Sequence, residues 1–312
     1  MNPCVIFNPV ARGDKARQFQ QHLAGLSHQC ALKPTTAAGA GRALAAEAVR
    51  EGFDTIIAAG GDGTVNEVLN GLGDVPGAFA RVRLGVLPLG TVNVFAKELG
   101  LPVDFLNAWR VICAGRERRI DLPTAEHILD GKTVRRHFAQ LAGAGLDSRA
   151  IELVNWEHKK KIGPLAYVAA GFRALAGKLP QLTVTNGVDT ATGELVLIGN
   201  GRFYGGRIAV FPGADLEDGQ LEVVVWPRAN VAALLQFGWG WLTNQLHRAG
   251  NVRRFRGDNI RLTSSAPHPF ELDGENIGPL PVTFTVQRRA LRVIVPHGTD
   301  TDRNLLSGRC AV

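Results

Sequence analysis

The sequence is poor in cysteine and has no apolar run long enough to cross a membrane. None of its cysteines forms a Cys-x-x-Cys pair, and they lie far apart at Cys4, Cys30, Cys113 and Cys310. We expect reduced thiols, as in a cytoplasmic protein, rather than a disulfide framework.

The most apolar stretch, Gly163 to Leu179, contains Arg173 and Lys178, so we expect only peripheral contact with the inner face of a membrane. The first residues lack a basic segment followed by a long apolar one, so we expect no signal peptide.

Several common catalytic motifs are also missing. The sequence has no His-Glu-x-x-His, no Gly-x-Ser-x-Gly, no zinc-ligand spacing and no Gly-x-Gly-x-x-Gly after a predicted strand. Gly131-Lys132-Thr133 resembles the end of a Walker A loop, but Glu126 stands where its first glycine belongs, and we predict no strand before it. These absences exclude zincin-type metalloproteases, serine hydrolases with a nucleophile elbow, Rossmann dinucleotide sites and P-loop nucleotide sites.

The chain is moderately basic, with a net charge of +7 and a pI near 9.6. This excess permits attraction to phosphates, nucleic acid or acidic lipid headgroups and selects none of them. Because no helix-turn-helix, zinc finger or aromatic RNA-binding motif occurs, we expect no nucleic-acid partner. The basic clusters are Lys159 to Lys161, Arg116 with Arg118 and Arg119, and Arg253 with Arg254 and Arg256. These clusters, together with Phe237, Trp239 and Trp241, are candidates for membrane contact. Alternatively, the basic clusters are solvated faces and the aromatic residues pack in the core or between helices.

The first 120 residues alternate short apolar runs with helical patterns. The predicted strands are Val5 to Phe7, Thr55 to Ala59 and Leu84 to Leu87. The predicted helices are Lys15 to Leu26, Ala40 to Glu51, the stretch around Val65 to Leu72, and Val94 to Leu99. Alternating strands and helices predict a parallel sheet with helices on its faces.

From Arg119 onward strands dominate, and turn signals separate several of them. The predicted strands are His137 to Leu141, Leu182 to Thr185, Leu195 to Ile198, Leu221 to Val225, Ile260 to Thr263, Val282 to Val286 and Leu291 to Val295. Helical patterns interrupt them at Lys159 to Leu175 and Val231 to Leu246. We predict an α/β domain over residues 1–121 and a mainly antiparallel β domain over residues 122–296, with residues 297–312 packing back on the first domain.

The strongest chemical signal is the run Gly60-Gly61-Asp62-Gly63-Thr64-Val65-Asn66-Glu67. It follows a predicted buried strand and opens a predicted helix, so its backbone N–H groups can form an anion nest at a helix N-terminus. Thr64 and Glu67 also fit a capping box. A plain strand–turn–helix link would explain the glycines but not Asp62, because a carboxylate beside a phosphate needs an intervening cation or hydroxyl. Asp62 therefore suggests magnesium or a ribose hydroxyl.

Other loops are predicted at the same edge of the sheet. Gly90 and Thr91 follow the strand Leu84 to Leu87, and Asn8-Pro9 follows the first strand. Thr35 or Thr36 takes the corresponding position if a further strand precedes the helix at Ala40 to Glu51. Open α/β sheets bind ligands at the carboxyl ends of their strands. Each loop alone is more often just a turn, but four together predict a nucleotide cleft.

These residues resemble the diacylglycerol kinase catalytic-domain family, in particular its soluble bacterial lipid kinases, which are related to sphingosine kinases. The matching segments, in order, are Asn8-Pro9 with Gly13, GGDGTVNEVLNGL at 60–72, LPLGTVNVFAKELGLP at 87–102, GAGLD at 143–147, Gly199-Asn200 before Gly205-Gly206, DLEDGQL at 215–221 and ELDGE at 271–275. The set is specific in order and spacing. Gly-Gly-Asp-Gly alone would not be, since phosphofructokinases and NAD kinases look similar there.

The resemblance implies a fold and a role for each matched position. The fold is a phosphofructokinase-like α/β domain followed by a β-sandwich, with ATP in the cleft between them. The implied nucleotide contacts are Asn8, Thr35, Gly61, Asp62, Gly63, Thr64, Val65, Asn66, Glu67, Gly90 and Thr91. Asp273 matches the catalytic base. Asp218 lies in a loop that matches a magnesium position, where Asp215 and Gln220 contribute backbone carbonyls.

The chemistry of the matched carboxylates agrees with phosphoryl transfer, which needs charge neutralisation and a base or positioner for the attacking hydroxyl. Glu271 and Glu275 flank Asp273, and neighbouring carboxylates are expected to raise its pKa toward that of a general base. From the pattern alone, Asp273-Gly274 and Asp218-Gly219 also fit simple hairpin turns.

The sequence therefore predicts an ATP- and Mg²⁺-dependent lipid kinase that phosphorylates a hydroxyl of diacylglycerol, a long-chain base or a related lipid presented at a membrane surface. Two alternatives remain open: a soluble-substrate kinase resembling NAD kinases, which should bind no liposomes, and an inactive homologue, which should bind ATP without turnover. The identity of the lipid, and the choice between monomer and homodimer, are left open.

Overall fold

The computed structural model describes residues 1–9, 14–153, 177, 179–231, 233 and 252–297. Its N-terminal part contains strands β1 (Pro3–Phe7), β2 (Ala31–Pro34), β3 (Thr55–Gly60) and β4 (Arg83–Pro88). Its helices are α1 (Asp14–Leu26), α2 (Ala40–Arg50), α3 (Asp62–Gly73), α4 (Ala78–Arg81), α5 (Val94–Glu98) and α6 (Phe105–Ala114). The strands are parallel in the order β2-β1-β3-β4, which confirms the predicted α/β architecture.

Both faces of this parallel sheet are covered. Successive side chains of a strand point to opposite faces, and those of β1 alternate accordingly. Cys4 and Ile6 pack in one buried cluster with α2 and α3, whereas Val5 and Phe7 pack in another with α1 and α6. Burial on both sides explains why the strands are continuous apolar runs rather than alternating ones.

The C-terminal part is built mainly from antiparallel strands. The elements are β5 (Glu117–Leu129), β6 (Lys132–His137), β7 (Leu141–Gly145), α7 (Leu146–Leu153), β8 (Leu182–Thr185), β9 (Thr190–Gly193), β10 (Leu195–Gly199), β11 (Phe203–Tyr204), β12 (Ile208–Ala209), β13 (Leu221–Trp226), β14 (Arg253–Gly257), β15 (Asn259–Ser264), β16 (Pro269–Leu272), β17 (Glu275–Pro279) and β18 (Val282–Ile294). The helices predicted at Lys159 to Leu175 and Val231 to Leu246 fall almost entirely outside the described residues.

The β-sandwich is formed by two facing sheets. One has the strand order β14-β13-β10-β7-β16-β17, and the other contains β5, β6, β8, β9, β15 and β18. The core between them includes Phe138, Val196, Phe270 and Phe284, all inaccessible to solvent. Phe270 meets Phe284 edge to face at 6.1 Å, a favourable aromatic geometry. The predicted sandwich is confirmed.

Strand β18 joins the sandwich to the parallel sheet. Its first half pairs with β5 and β15, and its last residues pair with β5 and, through Val293, in parallel with Leu84 of β4. One sheet therefore runs through both parts of the chain. The predicted boundary between residues 121 and 122 falls inside β5, and the division into two domains stays a prediction. No helix in the described part of the chain is both long and apolar enough to span a bilayer.

Some predicted elements differ from the observed ones. The strand predicted at His137 to Leu141 is wrong: β6 ends at His137 and β7 begins at Leu141, because the backbone between them turns its N–H groups to a side chain from β16–β17. The two strands predicted at Val282 to Val286 and Leu291 to Val295 are one strand. It is interrupted by a shift of register between Gln287 and Leu291, where Arg289 has a φ of 50°.

Candidate active site

The two glycine loops after β3 and β4 lie against each other. The N–H groups of Leu89 and Gly90 both donate to the carbonyl oxygen of Gly60, at 3.0 and 3.2 Å. A Cβ on Gly90 would lie 2.5 Å from Cα of Gly61, closer than a Cβ approaches a non-bonded backbone atom. Glycine at position 90 is therefore required for this close approach, and the two loops behave as one structural unit.

The loops after β1 and β2 adjoin the same edge. The N–H of Thr35 donates to the carbonyl of Phe7, the last residue of β1, at 2.8 Å. Asn8 and Thr91 are exposed, whereas Gly61, Asp62, Gly63 and Thr64 are half-buried. The structure thus brings the predicted nucleotide residues to the carboxyl edge of one sheet, where α/β proteins bind ligands. Their contact with a nucleotide stays a prediction.

The capping box predicted for Thr64 and Glu67 is wrong. Helix α3 begins at Asp62 with Gly61 as its N-cap, and no side chain caps it. The carboxylate of Glu67 turns instead to the start of α2, where it accepts the N–H of Gly39 and of Gly41, both at 2.8 Å. The unpaired N–H groups and the positive end of α2 attract this carboxylate.

Asp62 accepts a hydrogen bond from the start of α5, the helix that follows the second glycine loop. Its Oδ1 accepts the N–H of Phe95 in α5 at 3.1 Å. Burial raises the pKa of Asp62, while the N–H groups of Val94 and Phe95 and the charge of Lys97 lower it. Asp62 therefore ties the first glycine loop to the segment that follows the second, and its role toward magnesium or ribose stays a prediction.

Asp273 occupies the turn between β16 and β17 with a φ of 49°, followed by Gly274 at 90°. Its Oδ2 accepts the N–H of Ala139 at 2.8 Å and Nδ2 of Asn66 at 2.9 Å. Its Oδ1 accepts the N–H groups of Gln140 and Leu141 at 2.9 and 3.1 Å. A carboxylate offers about four lone-pair sites, so this N–H cradle is matched to the ionised form. Asn66 lies in the glycine-loop helix, so the cradle joins the two parts of the chain.

The pKa of Asp273 is raised, but not for the reason predicted from the sequence. Burial of the carboxylate raises this pKa, and the N–H donors of the cradle partly offset that effect. Neither flanking glutamate is a leading cause: Glu271 turns away to accept the N–H of Gly274 at 2.7 Å. Although the turn leaves the residue half-buried, its carboxylate is directed inward. A raised pKa brings a carboxylate closer to the working range of a general base.

A pair of asparagines supports the cradle, and sequence reasoning missed the second of them. Asn70 lies one helical turn after Asn66 in α3 and donates to its Oδ1 at 3.0 Å. It also donates to the carbonyl of His137 at 2.9 Å and accepts the N–H of that residue at 2.9 Å. The sequence places the two asparagines at i and i+4 on an otherwise apolar face of a helix, and both are buried. This spacing could have indicated a role for Asn70, because buried amides require fixed partners.

Glu275 brings a second carboxylate to the glycine loop. A Cβ on Gly63 would lie 2.8 Å from its Oε1, so Glu275 lies beside the first turn of α3. Asp273 and Glu275 thus approach the same helix N-terminus from the sandwich side. The candidate active site is the cleft between this turn and the glycine loops.

Comparison with known proteins agrees with this geometry. Residues 2–125 match the family described as diacylglycerol kinase catalytic domain, and residues 140–295 match the one described as YegS C-terminal NAD kinase beta sandwich-like domain. A Bacillus subtilis protein named diacylglycerol kinase is 30% identical over 303 residues, covering 94% of this chain and 95% of the relative. The chain belongs to the diacylglycerol kinase family.

Further members of the diacylglycerol kinase family match over most of their length. A protein of the same name from Staphylococcus saprophyticus is 31% identical over 256 residues, 81% of this chain and 80% of the relative. A crystal structure of a diacylglycerol kinase from Bacillus anthracis aligns with a TM-score of 0.73 at 22% identity, over 95% of this chain and 97% of that one, which supports the fold alone. Membership of the diacylglycerol kinase family makes the protein an ATP-dependent lipid kinase.

The loop predicted to bind magnesium makes other contacts. Oδ1 of Asp215 accepts the N–H of Glu217 at 3.0 Å, and Oδ1 of Asp218 accepts the N–H of Gln220 at 2.9 Å. Oδ2 of Asp218 pairs with Arg256. Across the described residues, no group of three or more His, Cys, Asp or Glu side chains is placed to hold a metal. These side-chain contacts do not test a site in which Asp215 and Gln220 contribute backbone carbonyls, so the magnesium site stays a prediction.

Ion pairs occupy part of the predicted basic surface. Arg118 pairs with Glu217, and Nη1 of Arg254 lies 3.0 Å from Oε1 of Glu222. Among the described members of the clusters, Arg116, Arg119, Arg253 and Arg256 are exposed. Of these, Arg256 pairs with Asp218, and Arg119 lies 3.9 Å from Glu117. Lys159 to Lys161 and the aromatic candidates Phe237, Trp239 and Trp241 lie outside the described residues. The charge that could meet a membrane is therefore smaller than the sequence clusters suggest.

Proposed function

We propose that the protein transfers the γ-phosphate of ATP to a hydroxyl group of diacylglycerol or a related lipid alcohol, such as a long-chain base. The observation that carries this proposal is the Asp273 cradle, in which Asn66 of the glycine-loop helix and the N–H groups of residues 139–141 hold one carboxylate. The names of the relatives support diacylglycerol as acceptor, since those from Bacillus subtilis and Staphylococcus saprophyticus are called diacylglycerol kinase.

In the proposed mechanism, the nucleotide lies along the carboxyl edge of the parallel sheet, with its phosphates at the N-terminus of α3. Backbone N–H groups of the glycine loop and the helix dipole stabilise the phosphates there. One N–H donor of the cradle gives way to the lipid hydroxyl, and Asp273 accepts the proton of that hydroxyl as its oxygen attacks the γ-phosphorus. The bond from that phosphorus to the β,γ-bridging oxygen breaks, so ADP leaves and the lipid becomes a phosphate monoester.

Magnesium enters this proposal as part of the nucleotide substrate. A magnesium ion that accompanies ATP would neutralise the charge that develops on the phosphates during transfer. Asp62 and Glu275 are the carboxylates beside the glycine loops, where a cation accompanying ATP would reduce their repulsion of the phosphates. A second ion at Asp218, with the backbone carbonyls of Asp215 and Gln220 as further ligands, remains a prediction.

The lipid acceptor requires peripheral contact with a membrane surface. The exposed Arg116, Arg119 and Arg253 would each contribute about 1 kcal/mol of attraction near an anionic bilayer. This contact, like the absence of a nucleic-acid partner and the choice between monomer and homodimer, belongs to the proposal.

The decisive test is to find which acceptor takes the phosphate. We would incubate the protein with γ-labelled ATP, Mg²⁺ and mixed micelles containing diacylglycerol, a long-chain base or another lipid alcohol, alongside NAD and sugars in detergent alone. We expect the label in an organic-extractable product, at a rate that follows the mole fraction of the lipid in the micelle. Label in NAD or a sugar would contradict the proposal, as would ATP binding without transfer to any acceptor.

A further inference from the structure

A pair of buried carboxyl groups lies directly behind the catalytic turn. Asp147 belongs to the first turn of α7, and Glu271 lies in β16, two residues before Asp273. A Cβ on Gly143 would lie 2.6 Å from Oδ2 of Asp147 and 2.8 Å from Oε1 of Glu271. The two oxygens therefore converge over one glycine, whose missing side chain leaves room for them.

The facing oxygens receive no hydrogen bond from any other group. Within the described part of the chain, neither Oδ2 of Asp147 nor Oε1 of Glu271 has a donor as partner. Two ionised carboxylates cannot share such a site, so one proton must lie between them. Burial raises the pKa of both carboxyl groups, and the pKa of Glu271, which the adjacent charge of Asp147 raises further, lies well above its ordinary value. Glu271 therefore keeps the proton and donates it to Asp147.

The outer oxygens of the pair link it to its surroundings. Oδ1 of Asp147 accepts the hydroxyl of Tyr204 at 2.5 Å. Oε2 of Glu271 accepts the N–H of Gly274 at 2.7 Å. Gly274 has a φ of 90° and forms the second half of the turn that carries Asp273. A continuous chain of hydrogen bonds thus runs from Tyr204 through the two carboxyl groups to the catalytic turn.

We propose that Asp147 and Glu271 share one proton and act as a positioning pair, which fixes the turn so that the Asp273 carboxylate faces the acceptor hydroxyl. This inference rests on the proposed function, in which Asp273 is the base. The shared proton gives the pair two properties. It removes one negative charge from beside Asp273, and it makes Glu271 a donor toward Asp147 and an acceptor toward Gly274 at the same time.

Glutamine is the side chain that reproduces both properties without an ionisable proton. Its amide N–H donates to Asp147, and its carbonyl oxygen accepts the N–H of Gly274. We therefore expect Glu271→Gln to keep kcat within about threefold of the unmodified protein. Glu271→Ala leaves Asp147 unpaired and the turn unsupported, and we expect kcat to fall about a hundredfold, as for a catalytic group misplaced by about 1 Å. The KM for ATP should not change, because the nucleotide loops lie on the other side of the cleft.

An infrared measurement detects the shared proton independently of turnover. The protein at neutral pH should show the C=O stretching band of a buried carboxylic acid, and this band should be missing from the spectrum of Glu271→Gln. If no lipid is phosphorylated at all, the proposed function fails, but the band still decides whether the proton is shared. The positioning pair is contradicted if the band is absent, if Glu271→Gln loses as much kcat as Glu271→Ala, or if Glu271→Ala keeps full kcat and only unfolds at a lower temperature.

Discussion

Replacing Asp273 with asparagine is expected to lower kcat by about 10²- to 10⁴-fold, the usual contribution of a general base. The cradle makes the effect severe, because each oxygen of Asp273 faces two N–H donors. Whichever way the amide of asparagine turns, its NH₂ group meets donors instead of acceptors. We therefore also expect a loss of about 1–3 kcal/mol in the free energy of unfolding.

The chain provides a matched control for this substitution. Asp130 precedes Gly131 in the turn between β5 and β6 and has a φ of 51°, close to the 49° of Asp273. It is exposed and lies outside the cleft. Asp130→Asn should leave both kcat and stability unchanged. We would measure initial rates at saturating ATP, and ATP affinity by calorimetry. If Asp273→Asn retained kcat within about threefold, the assignment of Asp273 as the base would be contradicted.

A second large effect is expected from Gly90→Ala. The added Cβ would lie 2.5 Å from Cα of Gly61 and 2.7 Å from Oδ1 of Asn93. Because the nearest contact of the added Cβ is with a backbone atom rather than with a movable side chain, the two glycine loops must move apart. A displacement of about 1 Å at a catalytic site can lower the rate about a hundredfold, and here it should also raise the KM for ATP.

The control for this variant is Gly25→Ala in α1, where a Cβ would meet nothing within 4 Å. Calorimetric titration with ATP should show unchanged affinity for Gly25→Ala and weakened affinity for Gly90→Ala. Equal ATP affinity for both variants would mean that the nucleotide does not lie across the paired loops.

The parallel sheet and the position of its loops were predictable from the sequence because their signals are local. Buried strands such as Thr55–Gly60 are continuous apolar runs, and the glycine loop follows directly. Parallel strands necessarily place their carboxyl ends at one edge. The sandwich followed from the density of short strands and turns, although the predicted break within β18 was wrong because its bulge resembles a turn.

The details of the site were less predictable because they depend on contacts between distant residues. Glu67 fits a local capping box, but its partners Gly39 and Gly41 lie 28 and 26 residues away. The stretch after His137 resembles a strand, but its N–H groups bind Asp273, 134 residues from Ala139. Local patterns contain no information about such pairings. For the same reason the raised pKa of Asp273 was predicted in the correct direction but from the wrong cause, the neighbouring glutamates, whereas burial raises it.

The pH dependence of phosphoryl transfer in Asn66→Ala tests the central claim most directly. Asp273 must be ionised to accept a proton, so activity is lost as the pH falls through its raised pKa. The N–H of Asn66 stabilises the ionised form and lowers that pKa, so removing it should move the acid limb of the kcat profile to higher pH. If the profiles of Asn66→Ala and the unmodified protein have the same shape and differ only in height, Asp273 is not the group whose ionisation controls transfer.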